Sequence, residues 1–144
     1  MNRRILAICI QGGLLLASAG GQQSGAPFAI IVNKVNRYDS LNRAKLGYIF
    51  LGKISRWPWG AEVVPVDVRG NPPARAVFVK SILKTTVEDL NAYWIDQKMT
   101  RNADPPMRVA DWAAVKHMVA AKPGAVGFIP ADMVDGTVKV LAVE

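Results

Sequence analysis

Tyr48-Ile49-Phe50-Leu51-Gly52-Lys53-Ile54-Ser55-Arg56-Trp57 is the stretch on which the fold turns. Its first half reads as the end of a short amphipathic helix over Arg43 to Leu51. Leu46, Ile49 and Phe50 recur on one helical face, and Asn42 stands where a side-chain oxygen can accept from the free amides of the first turn. Gly52 lies where a helix ends in a left-handed residue, a conformation that costs glycine no Cβ clash. Trp57 is expected to fold back over that helix end.

Toward the N-terminus, Phe28-Ala29-Ile30-Ile31-Val32-Asn33 is a nearly continuous apolar run rich in branched residues, as in a strand covered on both faces. Residues 20–27 are small and polar and read as a flexible leader. Ahead of them stand Arg3 and Arg4, the apolar run Ile5 to Leu16, and Ala17-Ser18-Ala19, the three parts of a secretory signal over residues 1–19. That run is shorter than the roughly 20 residues needed to cross a bilayer, so the mature chain is expected to carry no membrane span. Cys9 is the only cysteine and lies within the signal, which leaves the mature chain no thiol for a disulfide or a thiolate metal site. The remainder, about 125 residues, is enough for one domain over residues 28–144.

The formal net charge of +7 becomes +5 without Arg3 and Arg4, which favours anionic partners. Nucleic acid is excluded as a partner, because the basic residues are scattered along the chain rather than gathered into a stripe.

Toward the C-terminus, Glu62 to Val68 reads as a strand in which Pro65, lacking a ladder donor, marks an edge position or a strand end. Gly70 stops it. Pro72 and Pro73 suit the first turn of a helix running to Leu83, with Val77, Phe78, Ile82 and Leu83 as its buried face. Thr86 and Asp89 resemble a capping box that opens a helix through Tyr93, Trp94 and Ile95. Asn102 to Pro106 is turn-rich. A last helix over Asp111 to Ala121 carries Trp112, Val115, Met118 and Val119, and Lys122-Pro123-Gly124 stops it. Strands over Ala125 to Ile129 and Thr137 to Val143 close the chain. Strands alternating with helices imply an α/β domain with a mixed sheet and flanking helices.

Taken together, Ile31-Val32-Asn33, Asn36, Ser40-Leu41, and the segment Ile49-Phe50-Leu51-Gly52-Lys53-Ile54 with Trp57 resemble the periplasmic phosphate-binding proteins of ABC importers. In that family the segment is written IFxGxIxxW. Pro123-Gly124-Ala125-Val126-Gly127-Phe128 is similar to the family's PGAIGY. The resemblance runs from Phe28 to Glu144 and corresponds to the later part of a typical member, without the family's first strand and glycine-serine loop. It implies a type II periplasmic-binding-protein fold in reduced or single-lobed form. It also implies an exported, non-enzymatic solute-binding role, with a small phosphate-like inorganic anion as ligand and an ABC importer permease or another envelope protein as partner. No cofactor is implied.

In the family a strand ending in arginine leads through a Ser-Gly-Thr turn into a helix whose N-terminal amides bind the oxyanion. Here Val66-Asp67-Val68-Arg69 leads into Asn71, Pro72 and Pro73. A helix start offers free N–H groups, and a guanidinium fork matches two oxygens of a phosphate. The candidate ligand-binding residues are therefore Arg69, Asn71, Ala74 and Arg75, with Ser40 near the start of the first helix as an outlying contact. For Arg69 the competing role is a salt bridge or a solvated turn; for Asn71 it is a helix cap, and for Asn42 capping is the expected role. Two prolines remove the hydroxyl and amide donors of the family turn, a loss worth a factor of roughly 10² to 10⁴ in affinity.

Trp57 is expected to pack inward against the first helix, while Trp59, at the alternate position of an extended segment, is left open between packing and exposure to a partner. That surface belongs to the alternative reading, a ligand-free interaction module built on the same fold. His117 stands alone, so no nitrogen or sulfur metal site is expected. Asp132 and Asp135 lie in a polar turn, and no serine or cysteine has the context of an activated nucleophile, so no enzymatic activity is expected.

Overall fold

The structure, a computed structural model, describes residues 27–144. The proposed signal, Cys9 and the leader up to residue 26 lie outside the described residues. Five strands form a mixed sheet in the order β4-β3-β5-β1-β6, where β1 is Phe28–Val32, β3 Val64–Val68, β4 Met107–Val109, β5 Ala125–Pro130 and β6 Lys139–Val140. β3 runs parallel to β4 and β5, whereas β1 is antiparallel to β5 and β6. A separate parallel pair joins β2, Ser40–Leu41, to β7, Ala142–Val143. Four helices, α1 Arg43–Phe50, α2 Pro73–Ser81, α3 Val87–Arg101 and α4 Trp112–Ala121, complete the described body.

The layers follow from the two-residue period of the strands. Phe28, Ile30 and Val32 of β1 enter the core beneath α1 and α2, together with Phe50, Phe78 and Phe128. Ile31, between them, points to the other face, where Val66, Val68, Ala125 and Ile129 meet Val115 and Val119 of α4. Both faces of the sheet are thus covered, as the unbroken apolar run of β1 requires. Phe78 stacks on Phe128 with ring centroids 3.8 Å apart, and Phe50 meets Phe78 edge-on at 4.9 Å.

The opening stretch folds as read up to Gly52, but the helix end is covered from α3 and not by Trp57. The Trp94 ring stands 3.1 Å from where a Gly52 Cβ would be, and the Tyr93 hydroxyl donates 2.8 Å to the Leu51 carbonyl. Asn42 accepts from the Ala44 N–H at 2.8 Å, α1 ends at Phe50, and Gly52 has φ +74°. Trp57 is buried, and its indole N–H donates 3.0 Å to the carbonyl of Gly124. The two motifs that carried the resemblance therefore touch. A Cβ on Gly124 would stand 1.9 Å from the Glu62 carbonyl oxygen, so only glycine lets these backbones pass. Asn33 joins β1 to α4 by donating 3.0 Å to each of the Val119 and Ala120 carbonyls, the unpaired acceptors of a helix C-terminus.

Several expectations shift. Of the two positions read for Pro65, the strand end holds and the edge strand does not: β3 is flanked on both sides, and Pro65 sits at its beginning, where β4 does not yet pair. Val77 of α2 is exposed at 38%, and Val79, Ala74 and Arg75 take the inward positions with Phe78 and Ile82. Trp59, open between two roles, is half-buried and packs beside Trp57. A turn closed by the Gly60 N–H on the Trp57 carbonyl folds the segment back, and the two indoles stack at 5.2 Å. The strand read as Thr137 to Val143 breaks at buried Leu141 into β6, paired with β1, and β7, paired with β2. The short strands β2 and β4 carry no propensity signal of their own. Their neighbours supply the ladder.

Candidate functional site

β3 delivers the chain to the N-terminus of α2, and the sequence fixes how. Val66 and Val68 are buried in the α4-side core, so Asp67, between them, turns to the opposite face, toward α2. Gly70, at φ +73°, and Pro72 then start α2 with no side-chain cap. Arg69 and Asn71 are exposed at this junction, and the Arg69 N–H donates to Val109 of β4 at 2.8 Å. The Ala74 N–H has no partner among the described residues, whereas the Arg75 and Ala76 N–H groups both turn back to the Pro72 carbonyl, at 2.9 and 3.3 Å. The helix start is thereby reduced to one free amide beside Asn71 and Arg69.

Arg75 is placed differently from the other candidates. Its side chain runs inward and grips Asp67 with both arms of the fork: Nε donates to Oδ1 at 2.9 Å and Nη2 to Oδ2 at 2.9 Å. Asp67 Oδ1 also accepts from the Val68 N–H at 2.7 Å. The side chains are 4% and 11% exposed, so this is a buried bidentate ion pair. Asp67 occupies the geometry that a bound oxyanion would take on such a fork, and Arg75 reaches the junction only as a nearby charge.

Ser40 is not brought to the others. It lies on β2, where its hydroxyl donates to the Glu144 carboxylate at 2.5 Å, and Arg43 three residues on donates to the Ile82 carbonyl at the C-terminal end of α2. The nine residues of α2, about 13 Å of helix, separate that end from Arg69 and Asn71.

Two members of the neighbourhood were not singled out from sequence. Asp67 could have been, since a carboxylate inside the run Val-Pro-Val-Asp-Val demands a buried partner, and Arg75 is the next arginine on an adjoining element. Arg108 had no such signal. It comes from β4, and its guanidinium donates to the carbonyls of Val68 at 3.1 Å and Gly70 at 2.7 Å, pinning the turn. With Arg69, Arg75 and Arg108 against Asp67, the junction is net positive and its surface suits anions.

Elsewhere, His117 is exposed on α4, and no group of three or more His, Cys, Asp or Glu residues that could hold a metal occurs among the described residues. Asp135 accepts from the Lys116 ammonium at 2.7 Å and from the Thr137 N–H at 2.9 Å; these bonds hold its carboxyl well below the usual carboxylate range. No helix among the described residues is long and apolar enough to cross a membrane.

No family model matches the chain, and no curated protein does. Solved structures do. An ABC-type phosphate transport receptor from Vibrio cholerae is 26% identical, with a TM-score of 0.65 over 81% of this chain and 46% of its own. A Clostridium perfringens protein described as a phosphate ABC transporter substrate-binding protein, crystallised with bound phosphate, is 24% identical, with a TM-score of 0.64 over 81% of this chain and 44% of its own. PstS from Borrelia burgdorferi aligns at 16% identity and a TM-score of 0.60, over 82% of this chain and 47% of its own. The chain therefore has the fold of phosphate ABC transporter substrate-binding proteins in shortened form, spanning less than half the length of each of these three structures.

Proposed function

We propose that this chain is an exported, non-enzymatic solute-binding protein that holds phosphate or a similar small oxyanion at the junction of β3 and α2 and serves an ABC importer in the cell envelope. The likeness to phosphate-binding receptors supports the class. The observation that carries the site is the junction itself, where exposed Arg69 and Asn71 precede Ala74, whose amide has no partner among the described residues, with the buried charge of Arg75 behind them. Ser40 contributes no contact in this reading. With few donors and an uncapped helix start, affinity is modest, in the micromolar to millimolar range.

Titration calorimetry of the purified protein with inorganic phosphate and with sulfate tests it. Saturable heat that Arg69→Ala abolishes supports the site, and absence of heat together with an unchanged melting temperature at millimolar anion rejects it. A second reading, a ligand-free scaffold for another envelope protein, is favoured by one observation: the Asp67 carboxylate already fills the Arg75 fork. In that case Arg69→Ala leaves partner association intact. The indole of Trp57 is excluded as its contact surface, since it is only 3% exposed.

A further inference from the structure

Behind the junction, between α2, α3 and the start of β4, lies a cavity of about 410 Å³ that the oxyanion reading does not use. Its size falls within the range of small-molecule sites. Phe50, Phe78, Leu90 and Trp94 make most of its wall apolar, while Asp67, Arg75 and Arg108 gather at one end.

The polar end is built rather than incidental. Arg75 is 3% exposed, yet only its Nε and Nη2 have partners; Nη1 has none among the described residues. Arg108 likewise commits Nε and Nη2 to the Val68 and Gly70 carbonyls and leaves Nη1 without a partner among the described residues. Arginine carries five N–H donors, so both guanidinium groups line the cavity with donors unused. The charges of Asp67 and Arg75 cancel, and Arg108 leaves the cavity with one net positive charge. Asp67 is already turned to the Val68 N–H and the Arg75 fork, so its charge is met within the wall.

We infer that this cavity binds a monocarboxylate with an apolar body, its carboxylate on the Nη1 groups of Arg75 and Arg108 and its hydrocarbon part against Phe50, Phe78, Leu90 and Trp94. A single negative charge matches the single net positive charge. An inorganic oxyanion would lose its hydration among aromatic rings and gain no apolar burial in return, which favours an organic acid here. The site shares only the charge of Arg75 with the proposed oxyanion contact, whose Arg69 and Asn71 do not line the cavity.

The test is calorimetric titration of the purified protein with 3-phenylpropionate and with its neutral amide. Saturable binding of the acid, with the amide at least about tenfold weaker, is the expected result. Asn91→Trp, an exposed α3 position on the cavity lining, should block the site while leaving the Asp67–Arg75 pair untouched. Arg108→Gln should weaken the acid about tenfold and leave the amide unchanged. Arg69→Ala should leave 3-phenylpropionate binding as it is, so that failure of the oxyanion site and failure of this one are read separately. No heat with the acid at millimolar concentration overturns the inference, as does binding that Asn91→Trp and Arg108→Gln, both shown to be folded by their melting curves, leave unaltered.

Discussion

Replacing Asp67 by asparagine keeps the shape of the side chain and removes the charge that Arg75 is built around. The wild-type pair has two contacts of 2.9 Å, a third of 3.2 Å, and side chains 4% and 11% exposed, so the guanidinium in the variant stays buried without a counter-charge and faces an amide that offers one oxygen instead of two. Breaking a buried pair in this way costs about 3–5 kcal/mol. In a domain of this size each kcal/mol moves the melting temperature by about 4 °C, so Asp67→Asn should melt roughly 12–20 °C below wild type. Differential scanning calorimetry reads this directly. Two further outcomes separate an unpaired charge from simple loss of packing. First, phosphate or sulfate at tens of millimolar should restore several degrees to Asp67→Ala, whose shorter side chain empties the fork, and little to wild type, because an anion binding only the folded state can take the vacated place. Second, the double variant Asp67→Leu with Arg75→Leu should be more stable than either single variant, since apolar replacement of a whole buried pair is often neutral or stabilising. A loss of less than about 3 °C in Asp67→Asn, or a double variant no better than the singles, would refute the reasoning.

The contact between the two motifs gives a second prediction. Gly124→Ala forces a Cβ to within 1.9 Å of the Glu62 carbonyl and disturbs the Trp57 bond to Gly124, so stability measured by urea unfolding should fall by about 3 kcal/mol. Asn33→Ala removes both donors from the Val119 and Ala120 carbonyls at the end of α4 and should cost about 1–3 kcal/mol, with hydrogen exchange rising first in the last turn of that helix. The carboxyl of Asp135 is depressed in the folded state, chiefly by its bond from Lys116, so the stability it contributes is in place above the ordinary carboxylate value of 3.8 and is lost as pH falls below it. Melting temperature followed from pH 6 down to pH 2 should therefore fall less steeply in Asp135→Asn than in wild type, and identical slopes would remove the group from the account.

Much of the fold was legible because it rests on local rules. The Asn42 cap, the Gly52 stop, the Thr86 cap and the apolar period of α4 lie within one or two turns of the elements they define. The errors and the open readings cluster where distant segments decide. Which of Val77 and Val79 faces inward depends on where α2 lies against the sheet, and Trp59 depends on a turn that stacks it on Trp57. β2 and β4 are too short to be stable alone and exist because β7 and β3 pair with them.

The candidate site divides along the same line. Arg69, Asn71 and Ala74 are neighbours along the chain at a strand-to-helix junction, and sequence sufficed to group them. Ser40 was added for its place near the start of α1 and is instead on β2, bonded to the Glu144 carboxylate. Arg75 was grouped with those three as a candidate anion contact at the helix start, but its side chain follows the charge of Asp67 into the core.

By itself, then, the sequence determined the order of the four helices and of strands β1, β3 and β5, several of the caps and stops that bound them, and the motif pair of Trp57 and Gly124, because each depends on backbone preferences and spacings within a few residues. Tertiary structure alone decided that those two motifs meet, that Asp67 claims the fork of Arg75, and that Arg108 arrives from β4 to hold the turn. These depend on which buried charges and carbonyls come within hydrogen-bond reach once the sheet is assembled. Desolvation leaves such groups no alternative but to find one another.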